Sequence, residues 1–361
     1  MSVQSDRGDA PASVLRPGDR EGVAILCMVA LLSLLALIAV ASVAYGPSGT
    51  SLWQAVAKTL TGQDLEVRER VILFDIRLPR TVMGMMVGAA LAVSGAVMQG
   101  LFRNPLADPG LVGVSAGAGL GAGLAIVLGG ALPAAVLAFT GFYLVAFAAF
   151  FGGWVTTILL YAIATHRGKT SVAMMLLGGI ALGALAGAVN GLLVYIADDQ
   201  QLRDLQFWGL GSLAGANWPK VFAAMPLILA ALAAAPFLAR ALNALALGEA
   251  AAAHLGIEVQ MMKAIAILTV AGAVGASVAV AGGIGFVGIV VPHLLRLITG
   301  PDHRFLLINS ALLGASFLLL ADIISRLIVA PSEMPIGIIT AAIGGPFFLW
   351  ILLRNRSLLD L

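Results

Sequence analysis

The chain has 361 residues, of which 60% are hydrophobic and 11% are charged, and its mean hydropathy is +1.03. This balance excludes a soluble domain and predicts a bilayer protein, because polar residues are too few to cover a fold of this size. The net charge is +2, and the 20 basic residues lie between apolar runs and form no dense patch, so a nucleic-acid partner is not indicated. The single cysteine, Cys27, excludes an internal disulfide or a thiolate metal cluster.

The first 21 residues are polar and are predicted to form a disordered cytoplasmic tail, ahead of a single transmembrane domain over 22–361. The apolar run 22–44 has 23 residues, whereas the apolar core of a signal peptide has roughly 7 to 15. Acidic residues also stand among the arginines of the leader. The run is therefore predicted to be an uncleaved first transmembrane helix.

Ten apolar runs approach the length of about 20 residues that a membrane-spanning helix needs. They predict an all-α polytopic membrane protein, with nine or eleven spans as alternatives. The run 285–298 is too short to cross alone, and its glycines and Pro292 predict a bent or partial span. The runs are 22–44, 81–102, 111–131, 134–163, 171–196, 221–239, 264–282, 285–298, 305–325 and 336–353.

Ten spans place both termini on one side, and the distribution of basic residues favours the cytoplasm for that side. Twelve of the 20 basic residues then lie inside, and five of the other eight fall in the outer segment 46–80. Lys58 and Arg68 are interpreted as interfacial, with aliphatic stems along the apolar surface. Arg77, Arg80 and Arg326 are interpreted as an outward basic surface for an acidic partner.

One predicted helix carries glycines at every fourth position, which places them on a single face. Such a face serves either close helix packing or the wall of a passage for a bulky solute. Asn190 on the same helix, and Gln99 in the second span, are polar groups at membrane depth that need partners or water. The glycines are Gly179, Gly183, Gly187 and Gly191.

The spans lack the central charged residue that ion-coupled carriers use. Asp322 comes closest to one, but it lies near the outer end of its span and can pair with Arg326 at i+4. Gly168-Lys169-Thr170 resembles the end of a Walker A loop, but Ile163 occupies the position of its first glycine. The chain is therefore predicted to depend on a separate nucleotide-hydrolysing subunit, unless it is a passive pore.

Two further patterns resemble catalytic motifs. Residues 113–117 match G-x-S-x-G, and Ser115 with His293 could suggest an intramembrane serine protease. The motif opens an apolar helix in a Gly/Ala-rich stretch and lacks a positioned third group, so it is interpreted as accidental.

Residues 243–258 form an Ala-rich stretch outside the spans, interrupted by two glycines, and are predicted to form two short helices that dock into a partner's groove or rest on the interface.

The stretch 88–95 loosely echoes 272–282, and four-helix sets that start on opposite sides follow each of them. This pattern indicates an inverted repeat, a common feature of transporters.

The sequence resembles the FecCD-type permease family of ABC importers, which take up iron siderophores, haem and cobalamin. The resemblance covers nearly everything from Arg77 onward. It rests on IRLPRTVMGMMVGAALAVSGAVMQGLFRNPLADPGLVGVSAGAG at 76–119, FWGLGSLAGANW at 207–218, LNALALGEAAAAHLGI at 242–257, GGIGFVGIVVPHLLRL at 282–297, and ADIISRL and PIGIITAAIGGPFFLW within 321–350.

The resemblance implies the type II ABC importer permease fold, with about ten transmembrane helices, in a multi-pass protein of the bacterial inner membrane. It implies a homodimer with the passage at its two-fold interface, two cytoplasmic ATP-binding subunits and a periplasmic substrate-binding protein. The permease would have no ATPase site and no cofactor or metal of its own, since ATP and Mg would bind to the partner subunit.

The resemblance also assigns roles by position. Docking of the binding protein falls on Arg77, Arg80 and Arg326. The passage falls on the helix of Gly179, Gly183, Gly187, Asn190 and Gly191, and the inner gate falls on Lys169, Thr170 and Ser171. Coupling helices within 240–258 would contact the ATP-binding subunit through Leu247, Gly248, Glu249, Ala250, His254, Leu255 and Gly256.

The implied mechanism is alternating access, in which cargo crosses from periplasm to cytoplasm without a change in its bonds. Haem is the first expectation for the cargo, on the likeness of 207–218 and 242–257 to haem-type members. Ferric siderophores and cobalamin are the alternatives. The alternative from another class is an ATP-independent channel or a secondary transporter.

Overall fold

The computed structural model describes residues 17–167 and 169–354, and these form a helical bundle. The helices are α1 (Pro17–Ala44), α2 (Leu52–Leu60), α3 (Val67–Arg70), α4 (Leu78–Phe102), α5 (Val114–Leu128), α6 (Ala134–Thr140), α7 (Leu144–Ala164), α8 (Val172–Ile196), α9 (Asp199–Leu210), α10 (Trp218–Leu245), α11 (Glu249–His254), α12 (Val259–Ala281), α13 (Val287–Thr299), α14 (His303–Leu327) and α15 (Ile336–Arg354). A π-helical stretch, Val71–Arg77, joins α3 to α4. Within the described residues the strands are β1 (Thr165–His166) and β2 (Lys169–Thr170), an antiparallel pair.

The predicted all-α polytopic fold is confirmed. Among the described residues, eight helices are long and apolar enough to cross a membrane, and α13 and α15 are shorter apolar helices. Together these ten helices match the ten predicted runs. The predicted disordered tail over 1–21 lies mostly outside the described residues, and α1 begins at Pro17, five residues before the predicted start.

Several predicted runs differ in extent from the observed helices. The run 134–163 is not one helix, because Gly141 takes a positive φ of 49° and separates α6 from α7. The span predicted to end at 239 continues to Leu245, since one charged residue, Arg240, does not end a helix of good helix formers. The predicted pair of short helices in 243–258 is therefore a single short helix, α11.

The spans alternate in direction, so the bundle has two ends. We call the end where α1 begins the start face; it holds 103–113, 165–171, 246–258 and 300–302. The opposite end, the far face, holds 45–77, 129–143, 197–217 and 328–335. Hydrogen bonds between distant segments support this division, such as Asn243 Nδ2 to Asp302 Oδ1 at 2.8 Å on the start face.

The core is centred on α4, which is buried along most of its length. Small residues allow other helices to approach it closely. A Cβ at Gly88 would overlap the backbone of Gly314 in α14, and one at Gly95 would overlap the backbone of Gly288 in α13. These glycines are therefore required for packing, as is common between membrane helices.

Helix α13 is a partial span, as the sequence predicts. Its 13 residues rise about 20 Å, less than the hydrocarbon core of a bilayer. The non-helical residues 282–286 that precede it lie against the end of α9, where the Gly283 N–H donates to the Trp208 carbonyl at 3.3 Å. The Ser212 N–H also donates to the Ala281 carbonyl at 2.8 Å. Irregular backbone at this depth is therefore held by protein and not by lipid.

Candidate passage, gate and docking surfaces

The glycine face of α8 is open within this chain. A Cβ at Gly183, Gly187 or Gly191 would meet nothing within 4 Å. Gly179 lies on the same face and is half-buried. Large apolar side chains beside the glycines are also exposed, with Ile180 at 67% and Leu192 at 60%. Packing between helices of this chain therefore does not explain the last three glycines.

Asn190 lies beside the open glycines on α8, two turns from Gly183 and next to Gly191. Its amide oxygen lies against Gly123 of α5, where a Cβ would come within 2.6 Å of it. Asn190 thus contacts α5 from the edge of the glycine face, and its place in the passage stays a prediction. Gln99, the other polar residue at membrane depth, donates from Nε2 to the Gly288 carbonyl at 3.2 Å.

The segment assigned to the inner gate forms a β-hairpin, which we call the gate hairpin (165–171, with Gly168 outside the described residues). Lys169 pairs with His166, and Thr170 pairs with Thr165. The Ser171 N–H donates to the Ala164 carbonyl at 2.9 Å, and the Ser171 side chain caps the start of α8. The hairpin therefore connects the end of α7 directly to the start of α8 on the start face.

Thr170 is buried, and both of its backbone polar groups are bonded to side chains of α12. Its N–H donates to Gln260 Oε1 at 2.8 Å, and its carbonyl accepts from Lys263 Nζ at 2.9 Å. Lys263 Nζ also lies 2.7 Å from Glu249 Oε1 in α11. The gate hairpin, α12 and α11 are thus joined through one buried lysine.

The coupling segment (247–256) is a short helix between two glycines. Gly248 and Gly256 take positive φ values of 108° and 79°, which favour glycine, and they bound α11. Leu247 is 71% exposed and Leu255 is 55% exposed, and Ala250 and His254 are exposed between them. Exposed leucines at both ends of a helix on the start face make an apolar surface that a partner can cover.

The three predicted docking arginines share the far face, but their side chains are buried. Exposure is 4% for Arg77, 5% for Arg80 and 3% for Arg326. Arg77 Nη1 donates to the carbonyls of Val43 and Ala44 at 2.8 and 3.0 Å. Arg326 donates to further carbonyls at the end of α1, including that of Tyr45 at 3.1 Å.

These bonds satisfy carbonyls that a helix leaves without partners at its C-terminus, and they place positive charge at the negative end of the helix dipole. Arg77 and Arg326 therefore hold the end of α1 against the rest of the bundle. Any docking role of theirs adds to this structural role.

Asp322 connects Arg80 and Arg326, two of the three arginines on the far face. It is fully buried, and its carboxylate lies 2.9 Å from Arg80 Nη2 and 3.1 Å from Arg326 Nε. The predicted Asp322–Arg326 pair is confirmed, and Arg80 is a second partner. The outer side of Arg80 pairs with Glu333 at 2.9 Å, and the Glu333 side chain is 33% exposed. Arg80 is thus the arginine whose partner reaches solvent.

Lys58 and Arg68, the two basic residues predicted to lie at the membrane interface, have different kinds of partner. Lys58 Nζ lies 2.8 Å from Glu69 Oε1, and this hydrogen bond raises the pKa of the lysine. Arg68 donates to the Ser48 carbonyl at 3.4 Å and is exposed. Both side chains have partners within 46–80.

The catalytic-like patterns gain no support from the geometry. Ser115 lies in the first turn of α5, which follows a 3₁₀ turn and not a strand. The His293 ring packs against the Phe347 ring with centroids 6.0 Å apart. No hydrogen bond among the described residues joins Ser115 to His293, so the interpretation of G-x-S-x-G as accidental stands.

Comparison with known proteins settles the family. The model of the FecCD transport family matches residues 31–354. The chain belongs to the FecCD transport family. The permease is 47% identical over 286 residues to the hemin transport system permease protein HmuU of Yersinia pestis, covering 79% of this chain and 84% of HmuU. It is 45% identical to the cobalamin import system permease protein BtuC of Halobacterium salinarum, covering 80% of this chain and 74% of that protein.

The fold agrees with solved transporters. A structure described as an inward-facing conformation of a metal-chelate type ABC transporter matches with a TM-score of 0.79 at 33% identity, covering 91% of this chain and 98% of the other. PsaBC from Streptococcus pneumoniae, with a TM-score of 0.53 at 18% identity, shares the fold. The permease is thus a multi-pass membrane subunit of the metal-chelate type of ABC importer, a family that works with ATP-binding subunits and a substrate-binding protein.

Sequence reasoning missed the residues that tie the site together. Lys263 and Gln260 lie outside the predicted gate, because the apolar run of this span begins only at 264. Their i, i+3 spacing, which places both on one face at the start of α12, is a signal that could have paired them. Glu333 carries no comparable signal, because its partner Arg80 is 253 residues away.

Proposed function

We propose that this permease imports haem from the periplasm to the cytoplasm, as a homodimer with two ATP-binding subunits and a periplasmic binding protein. Both termini lie in the cytoplasm, so the start face is cytoplasmic and the far face is periplasmic. ATP binding and hydrolysis occur on the partner subunits and drive alternating access, and the permease holds no cofactor or metal of its own.

The open glycine face of α8 is the observation that carries the proposal. Each glycine costs a helix about 1 kcal/mol relative to alanine, so several on one face need a compensating role. Contacts within the chain do not supply one for Gly183, Gly187 and Gly191. The face therefore lines the passage at the dimer axis, where absent side chains leave room for a large planar cargo. Gly179 and Asn190 belong to the same helix and complete the proposed pathway.

Docking partners cover the two faces. On the cytoplasmic face, the coupling segment with Leu247, Gly248, Glu249, Ala250, His254, Leu255 and Gly256 packs into a groove of the ATP-binding subunit. On the periplasmic face, acidic residues of the binding protein meet Arg77, Arg80 and Arg326. Arg80 makes the direct contact, since its outer partner Glu333 is partly exposed and can be exchanged for a carboxylate of the binding protein.

The gate hairpin, with Lys169, Thr170 and Ser171, closes the passage on the cytoplasmic side. It connects α7 to the glycine-bearing α8, so a movement of the hairpin shifts the start of α8. Release of cargo into the cytoplasm follows when this movement opens the passage.

Haem is favoured as cargo by the likeness to HmuU, which exceeds the 42–45% identity to the cobalamin permeases. Cobalamin import is the second candidate, because it is the function named for several of these relatives. The passage offers few groups that could ligate a metal, which suits transient holding of a complete chelate.

The test is reconstitution of the complex in liposomes, with its binding protein loaded in turn with haem, cobalamin and a ferric siderophore. We expect haem to give the largest stimulation of ATP hydrolysis and the only substantial uptake. Uptake of cobalamin with no response to haem would transfer the assignment to the second candidate.

A further inference from the structure

Lys263 is a buried charged residue that makes contacts on two sides. Its side chain is 3% exposed, and Nζ lies 2.7 Å from Glu249 Oε1 and 2.9 Å from the Thr170 carbonyl oxygen. A buried ammonium group without partners has a large free-energy cost, so loss of either contact is strongly unfavourable.

The two contacts belong to different functional segments. Glu249 is the first residue of α11 in the coupling segment, and its side chain is 44% exposed. Thr170 belongs to the gate hairpin and is 5% exposed. Among the described residues, the hydrogen bonds that connect α11 to the gate hairpin pass through Lys263.

The hairpin is also fixed in register against α12. Gln260 and Lys263 lie three residues apart on one face of that helix and bond the N–H and the carbonyl of the same residue, Thr170. A displacement of the first turn of α12 therefore moves the hairpin with it. The Glu249–Lys263 contact, at 2.7 Å, is a charge-assisted hydrogen bond, which is stronger and more directional than a neutral one.

We propose that Lys263 is the positioning residue that transmits movement of the coupling segment to the gate hairpin. The proposal rests on the proposed function, since it takes the coupling segment as the contact with the ATP-binding subunit. When that subunit moves α11, Glu249 draws Lys263 and the start of α12, and the Thr170 backbone follows. Loss of either contact separates ATP hydrolysis from gate opening.

The test follows the gate directly, in the whole complex with its ATP-binding subunit and binding protein in liposomes. Cys27→Ser removes the chain's single cysteine, and Lys169→Cys then places a thiol at an exposed position of the gate hairpin. The readout is the labelling rate of that thiol by a membrane-impermeant maleimide, compared between the nucleotide-free state and the state trapped with ATP and vanadate. Hemin uptake per ATP hydrolysed is measured in parallel.

We expect Glu249→Gln and Lys263→Met each to reduce the nucleotide-dependent change in labelling by about fivefold or more, the range of a typical allosteric coupling. Uptake per ATP should fall in the same proportion. Glu21→Gln is the matched control, because it makes the same chemical change at an exposed position of α1, outside the coupling segment, the gate hairpin and α12. It should leave both readouts at the level of the parent.

A charge-reversed pair separates transmission from simple stabilisation. Glu249→Lys with Lys263→Glu restores an ion pair between α11 and α12, but a carboxylate at 263 cannot donate to the Thr170 carbonyl. We expect this double variant to stay uncoupled. Full recovery would overturn the proposal, because the ion pair would then act only by holding α11 in place.

Two further results would also overturn it: an unchanged labelling response in Glu249→Gln, or normal gating in Lys263→Met. If Lys263→Met does not assemble, Glu249→Gln decides, since its exposed side chain can be changed without an uncompensated cavity. A parent complex whose gate responds to nucleotide but which carries no hemin contradicts the proposed cargo and supports the gate assignment. A parent complex whose gate does not respond to nucleotide contradicts both the gate assignment and the proposed role of Lys263.

Discussion

Asp322 links two of the three arginines on the far face, and Asp322→Asn tests whether the cluster is structural. The carboxylate lies 2.9 Å from Arg80 and 3.1 Å from Arg326 and is fully buried. Asparagine has nearly the same shape but no charge, so Arg326 loses its carboxylate partner while Arg80 keeps Glu333. Breaking a buried ion pair costs roughly 3 to 5 kcal/mol, and the retained contacts lower the expected loss to about 2 to 4 kcal/mol.

The assay is the thermal midpoint of the detergent-purified permease, followed by loss of the monodisperse peak in size-exclusion chromatography. A loss of this size corresponds to a decrease of about 3 to 5 °C in a protein of this length. Glu333→Gln is the matched control, because its side chain is 33% exposed and a partly exposed pair contributes about 1 kcal/mol or less. A midpoint for Asp322→Asn within about 1 °C of the parent would refute the structural role, whatever the effect on docking.

Three further predictions concern the surfaces. Gly187→Leu should keep the thermal midpoint but block hemin uptake, because the new side chain enters open space in the proposed passage. Gly88→Ala should instead lower the midpoint, because the added Cβ overlaps α14 at a cost of about 1 to 3 kcal/mol. Normal uptake by Gly187→Leu would show that α8 does not line the passage. Leu255→Asp should weaken co-purification of the ATP-binding subunit without changing the midpoint of the isolated permease, and unchanged co-purification would argue against the coupling segment. Arg80→Gln should weaken titrated docking of the binding protein, most strongly at low salt, while Lys58→Gln should not; equal affinities would exclude Arg80 as the direct contact.

The helical architecture could be predicted from sequence because apolar length is a direct physical requirement of the bilayer. Each of the ten apolar runs contains a helix, although 134–163 is divided into α6 and α7, and the short run 285–298 is the partial span α13. The boundaries were less predictable. The apolar run predicts a span that ends before Arg240, but a helix extends beyond the membrane as long as its residues favour helix, as α10 does to Leu245.

The positions of the candidate sites were predictable, but their contacts were not. Arg77 and Arg326 were expected to point outward because a charged residue at a helix end usually reaches water. In the folded chain they instead donate hydrogen bonds to carbonyls at the end of α1. These carbonyls lack partners within their own helix, and the arginines reach them only because distant helices pack together. Lys263 was overlooked for the same reason, since its partners Glu249 and Thr170 come from separate segments.

The direct test of the account is hemin uptake into proteoliposomes that contain the permease, its ATP-binding subunit and the hemin-loaded binding protein. We predict uptake that requires all three proteins and ATP hydrolysis, and none with the permease alone. Uptake by the purified permease without the ATP-binding subunit would contradict the account, because the chain would then be a passage that needs no energy from a partner.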